Sequence, residues 1–205
     1  SKLFSGGDGN FDSVNTAQQN NSTYWVEGDR LSDVADVIDD APAGATIKLE
    51  AKEYRLDYLN ERDSNDNGLS IDKPITLAGS GRGATTILLE DGTTETNVGA
   101  NILSVLADNV TLRGFTIDGN YQNNTPGEGG DVSDGHNVDI VGATGFTAYD
   151  IDSTNGTGDG LEFLANSEGR VFGCRFINNW EHNIGLNGCN DVTITNFLCV
   201  GETNN

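Results

Sequence analysis

His136, Asp159 and His182 stand 23 residues apart, and three positions after the first two come Asp139 and Glu162, again 23 apart. No other histidine occurs in the chain. An imidazole changes charge near neutral pH and a carboxylate can give or take a proton. Gathered on one surface, these groups could therefore carry general acid–base catalysis. The same groups could hold a divalent metal ion, although nothing in their spacing sets a ligand geometry. They could equally be a polar ladder along a solvent-facing strand edge. Each reading needs residues 23 apart to lie one above another, at the roughly 4.8 Å spacing of neighbouring strands.

The rest of the chain points to such stacking. Val138, Leu161 and Ile184 recur at 23-residue steps, as do Ile140, Phe163 and Leu186. So do Ala148, Val171 and Ile194, then Ile151, Cys174 and Phe197, then Ser153, Phe176 and Cys199. Within each unit short apolar runs alternate with polar residues, the period of a strand and not of a helix. At about 3.3 Å per residue, one unit makes a turn of two or three strands, and stacked turns form a solenoid. The expected fold is all-β, a right-handed parallel β-helix. Ile102 and Ser104 stand 36 residues before Val138 and Ile140, and Leu112 stands 36 before Ala148. That predicts one coil plus 13 extra residues within Asp118–Gly135. An insertion of this kind projects as a loop from one face, often the binding face.

Between Asp29 and Asp40, Leu31, Val34, Ala35 and Ile38 have helical spacing, and Ala41-Pro42-Ala43-Gly44 follows. This predicts a short N-terminal amphipathic helix that caps the first coil. Residues 1–28 read as an N-terminal arm or attachment segment, with Tyr24-Trp25-Val26 its one strand-like spot. Residues 29–205 read as the β-helix, whose last coil lacks a cap and so reads as truncated. Gly79-Ser80-Gly81-Arg82-Gly83 reads as a turn, because neither a helix nor a Lys-Ser/Thr pair follows to make a phosphate loop. Asp63-Ser64-Asn65-Asp66-Asn67-Gly68 repeats the first half of an EF-hand loop, but Pro74 at the twelfth position excludes the complete motif. Asp63, Asn65 and Asn67 remain as ligands for a looser Ca2+ site, or as an Asx-rich turn.

The net charge is −21, from 11 basic and 32 acidic residues. Such a surface repels nucleic acid and anionic membranes. Cys174 and Cys199 fall at inward positions and Cys189 near a turn, which argues against a disulfide framework. No apolar run approaches the ~20 residues of a membrane helix. No signal-peptide pattern is present, and the opening Ser1-Lys2-Leu3-Phe4 reads either as a native start after removal of an initiator Met or as a trimmed end. A native start would point to a protein that reaches its site without the secretory route, as virion proteins do.

Leu77-Ala78-Gly79-Ser80-Gly81 with Thr86-Ile87, and the stretch from Val110 to Asn120, resemble the pectate-lyase-like superfamily of β-helices over roughly residues 29–205. That superfamily includes polysaccharide lyases, polygalacturonases, mannuronan C5-epimerases and bacteriophage tailspikes, so the resemblance implies a long glycan as partner. Asn155-Gly156-Thr157-Gly158-Asp159-Gly160-Leu161 is similar to a polygalacturonase motif, which would make Asp159 an acid. One coil on, Glu181-His182 stands where those enzymes carry two aspartates. Ile117-Asp118-Gly119-Asn120 is similar to an epimerase motif, and Asp159 to Leu164 occupies the place of the epimerases' Tyr-Gly-Phe-Asp-Pro-His. With so few basic residues, a neutral glycan is an easier ligand than a uronate unless calcium bridges the charges. The resemblance implies a virion tailspike or tail fibre, a trimer in most such proteins, that binds cell-surface polysaccharide, with or without degrading it. The alternatives are an extracellular polysaccharide-modifying enzyme, hydrolase, lyase or C5-epimerase, with Asp159, Glu162 and His182 as acid/base residues, and an adhesive β-helix without chemistry.

Overall fold

The computed structural model describes residues 19–20, 22–92, 101–124 and 135–201. Most of the expected N-terminal arm, and residues 125–134 of the expected insertion, lie outside them.

The described residues fold as a stack of coils with parallel strand pairing throughout, apart from one antiparallel pair at the start, Gln19–Asn20 with Thr23–Trp25. One sheet has five strands: Asn67–Ile71, Asn101–Val105, Val138–Val141, Glu162–Leu164 and Gly185–Asn187. The other, of 12 strands, bends around two sides of the coil. Its long members Thr111–Asp118 and Phe146–Thr154 turn the corner without leaving the sheet. The corner recurs at Gly114, Asp150, Gly173 and Asn196, all with positive φ. Glycine takes that conformation freely, and aspartate and asparagine tolerate it better than other side chains. Inside the coils Leu112, Ile140, Phe146, Phe163, Val171, Cys174 and Phe176 are buried, so the 23-residue columns are the core. Cys199 pairs with Phe176 in the inward column but is exposed, because no described strand lies beyond it.

Two details of register depart from expectation. Ala148 pairs with Leu112, 36 residues earlier, as predicted. On the five-stranded sheet, however, Val138 pairs with Leu103 and Ile140 with Val105, an offset of 35. The turn between these two sheets is one residue shorter in the earlier coil. A one-residue slip exchanges the faces of a strand, so Leu103 and Val105 point inward while Ser104 joins Asp139. The stack also begins before Thr46. Thr23–Trp25, set within the stretch read as an arm, pairs in parallel with Thr46–Lys48 at the 23-residue step.

The helix Leu31–Asp40 buries Leu31, Val34, Val37 and Ile38 against Glu53–Leu56 and the first strand of the five-stranded sheet. It covers the end of the stack there, while Thr23–Trp25 extends the remaining side. Asp33 accepts a hydrogen bond from the Arg30 backbone N–H at 2.9 Å, and Arg30 then ties this end together. Its guanidinium grips Glu61 with both forks, at 2.9 and 2.6 Å, and reaches Glu90 at 2.7 Å. Burial pushes the Glu61 carboxyl up, but Arg30, the Asp57 N–H and the Ser32 hydroxyl together outweigh it and hold the group below its ordinary value of 4.5. A depressed carboxylate stabilises the fold above its unfolded value, and that stability is lost as pH falls through the folded one. The urea midpoint is therefore expected to drop as pH falls from roughly 5 to 3, and Glu61→Gln to flatten this dependence. An unchanged slope in the variant would remove Glu61 from the acid sensitivity. No helix among the described residues is long and apolar enough to cross a membrane.

Candidate functional site

The outward side of the five-stranded sheet carries two polar columns. In one, Asn67 pairs with Asn101, and the same register continues through His136, Asp159 and His182. In the other, Ser70, Ser104, Asp139, Glu162 and Gly185 follow one another. The early rungs are closed by their own hydrogen bonds, since the Ser104 hydroxyl donates to Asn67 Oδ1 at 2.7 Å with both residues buried. The later rungs open into a groove of about 560 Å³ lined by His136, Asp139, Asp159, Glu162, Glu181 and His182 among others. The residues expected to do chemistry are thus brought together.

Their hydrogen bonds assign roles. His136 Nδ1 accepts from the backbone N–H of Asp159 at 3.1 Å. In neutral imidazole the proton must then sit on Nε2, which lies 2.8 Å from Glu162 Oε2 and donates to it. The His136 backbone N–H is in turn held by Asn101 Oδ1 at 2.9 Å. His136 is buried and aims the Glu162 carboxylate from behind. One coil on, Asp159 Oδ1 accepts from the His182 backbone N–H at 2.8 Å and lies 3.0 Å from His182 Nδ1. With Nδ1 donating, His182 keeps Nε2 as its open acceptor. The Asp159 side chain is only 4% exposed and that of His182 is 66% exposed, so a buried carboxylate orients an imidazole that reaches into solvent. The arrangement is two coupled pairs, Asp159–His182 and His136–Glu162, side by side on adjacent strands. One can take a proton while the other gives one.

Three contributors were not among the residues expected to do chemistry. Gly185 makes room for the Asp159 carboxylate, since a β-carbon built there would lie 2.1 Å from Asp159 Oδ2. A need for empty space leaves no mark on a sequence. Asn101 lay hidden behind the one-residue register slip. Glu181 was visible beside His182, and its side chain makes no hydrogen bond among the described residues.

Two groups could supply three ligand atoms to a cation: His136, Asp159 and Glu162, and Asp159, Glu181 and His182. The first fits poorly, because His136 Nδ1 accepts a backbone proton and Nε2 would have to lose its own to bind metal. The second offers two carboxylates and an imidazole nitrogen of His182. At the expected calcium loop, Asp63 Oδ1 accepts from the N–H groups of Asn65 and Asn67 at 2.7 and 3.0 Å. Asp63 Oδ2 accepts from Ser70 at 2.5 Å, and Asn67 Oδ1 is taken up by the Ser104 hydroxyl. Those oxygens serve an Asx turn and the polar column above it.

Among the described residues no Lys or Arg lines the groove. Arg82 and Arg175 instead neutralise the buried Asp152 on another side of the coil.

No family model matches the chain, and no curated protein sequence matches it. Solved structures do. The mannuronan C-5 epimerase AlgE6 A-module of Azotobacter vinelandii superposes with a TM-score of 0.58 at 18% identity, over 83% of this chain and 50% of that one. The AlgE4 A-module of the same organism gives 0.46 at 19% identity, over 81% of this chain and 66% of that one. This chain therefore spans half the length of the first neighbour. At such identity the likeness is one of architecture, and the parallel register, the stacked inward columns and the 0.58 superposition agree on it. The chain has the right-handed parallel β-helix fold.

Proposed function

We propose that this protein holds a polysaccharide lengthwise in the groove and modifies it by proton transfer, with Glu162 and His182 as the acid/base pair and His136 and Asp159 orienting them. The observation that carries this reading is the pair of hydrogen-bonded couples on adjacent rungs of an open groove. In hydrolysis His182 Nε2 would take a proton from water as the water oxygen bonds to the anomeric carbon, while protonated Glu162 would give one to the leaving glycosidic oxygen as its bond to that carbon breaks. In elimination or epimerisation of a uronate the base would take the proton on the carbon beside the carboxylate. The carbanion would then form a double bond as the glycosidic oxygen leaves with a proton from the acid, or take a proton back on its opposite face. The acidic lining favours a neutral glycan, or a uronate whose charge calcium offsets through the carboxylates of Asp159 and Glu181. The fold of the epimerase neighbours supports a glycan as the ligand class. Cell-surface polysaccharide, met by a virion tailspike or by an extracellular enzyme, is the setting in which such a groove would work.

The test is to incubate the full chain with neutral and acidic polysaccharides, with and without calcium. New reducing ends, an unsaturated ultraviolet-absorbing end, or an altered proton spectrum at constant length would mark hydrolysis, elimination and epimerisation respectively. One glycan is expected to change, with Glu162→Gln slowing the change by at least ~100-fold while retention of the glycan persists. A panel in which no glycan is retained or altered would end this reading.

A further inference from the structure

Beyond the acid–base groups, a second cavity of about 180 Å³ is lined by Tyr121, Asn178, Asn179, Trp180, Glu181 and Asn183. Glu181 lines both cavities, so the two adjoin. Trp180 is 50% exposed, an unusual place for the largest apolar side chain. It is nevertheless held in position. Its backbone N–H donates to Gly156 O at 2.9 Å, and its ring meets Tyr121 at 5.9 Å between centroids with a 51° tilt. Asn179 stiffens the wall behind, accepting from Gly156 N–H at 2.9 Å and donating to Ser153 O at 3.2 Å and Asn183 Oδ1 at 2.9 Å. The side chains of Asn178 and Glu181 make no hydrogen bonds among the described residues. The cavity thus combines a fixed aromatic face with open amide and carboxylate groups around it.

A pyranose ring has the complementary chemistry, with a face of C–H groups and a rim of hydroxyls. Aromatic side chains suit such a ligand because they are rigid, apolar and cost little entropy to place. We propose that Trp180, braced by Tyr121, is a stacking platform for one neutral hexopyranose unit of the glycan that lies in the groove, with Asn178 and Glu181 receiving its hydroxyls. The proposal rests on the polysaccharide reading above and adds the sugar class and the subsite. The platform joins two distant segments. Tyr121 begins the insertion and Trp180 precedes the catalytic His182, so chain length is sensed next to the chemistry.

The test uses intrinsic fluorescence. The chain has two tryptophans, and Trp25 lies in the first rung, so a Trp25→Phe protein reports on Trp180 alone. Neutral cello-oligosaccharides and manno-oligosaccharides, di- to hexasaccharide, are titrated into it, with oligomannuronates plus calcium as the anionic arm. A saturable blue shift with one neutral series is expected. Trp180→Ala should weaken binding of the longer members by roughly 10-fold while leaving the shortest nearly unaffected, and Trp180→Phe should restore much of the loss. Binding of a neutral glycan, read by calorimetry, with no change in Trp180 emission would overturn the platform and leave the groove reading intact. A response to the anionic series alone would overturn the neutral sugar class. Silence of every series in both measurements would overturn platform and groove together.

Discussion

Replacing Asp159 with asparagine is expected to lower the rate on the responsive glycan by roughly 10³-fold with little change in fold. Asparagine preserves size and can still accept from the His182 backbone. What it removes is the negative charge 3.0 Å from Nδ1, which stabilises the imidazolium formed when His182 takes a proton. Asp159 is buried and touches the imidazole directly, so its replacement also loosens the orientation of a ring that otherwise reaches into solvent. Gly185→Ala should act through the same carboxylate. The added carbon would occupy space 2.1 Å from Oδ2 and push Asp159 off His182 without altering any ionisable group. Initial rates, circular dichroism and urea midpoints for the two variants make the test. An Asp159→Asn protein that retains half of the wild-type rate would remove Asp159–His182 from the mechanism.

Phe163→Ala is expected to have the largest effect on stability, about 3–5 kcal/mol. Phe163 is fully buried at the middle of its strand and meets Phe146 edge to face at 5.7 Å. Its neighbours in the column, Ile140 and Leu186, belong to the coils on either side. A solenoid transmits stability only through such contacts, so the void weakens two interfaces at once. Leu186→Ala removes the equivalent side chain one coil later, where 56% of the residue is exposed. It should cost less than about 1.5 kcal/mol, since little apolar surface is withdrawn from water there. Urea unfolding of the two variants compares them directly. Equal losses would show that the described coils do not unfold as the packing implies.

The column residues explain how much could be read without coordinates. Val138, Leu161 and Ile184 repeat because each coil must present the same face to the same core, and this periodic demand is written in residue type. From it follow the coils, the inward side, the helix Leu31–Asp40 as a cover, and the alignment of His136 with Asp159 and His182. The slip at Ser104 was not legible, because Ile102 and Leu103 are equally apolar and a turn can lose one residue without leaving a motif. Asn67 shows the same limit. Its spacing from Asp63 and Asn65 suits a calcium loop, yet burial beside Ser104 gave its oxygen another donor.

By itself the sequence determined the parallel β-helix and which polar residues share a face, since both follow from a period that backbone geometry imposes. Only the tertiary structure decided what those residues do to one another. That His136 carries its proton on Nε2, that Asp159 is buried while His182 is open, and that Gly185 must stay bare depend on distances of a few ångströms between neighbouring coils. Hydrogen bonds and steric contacts act at that range, and a 23-residue spacing does not specify it.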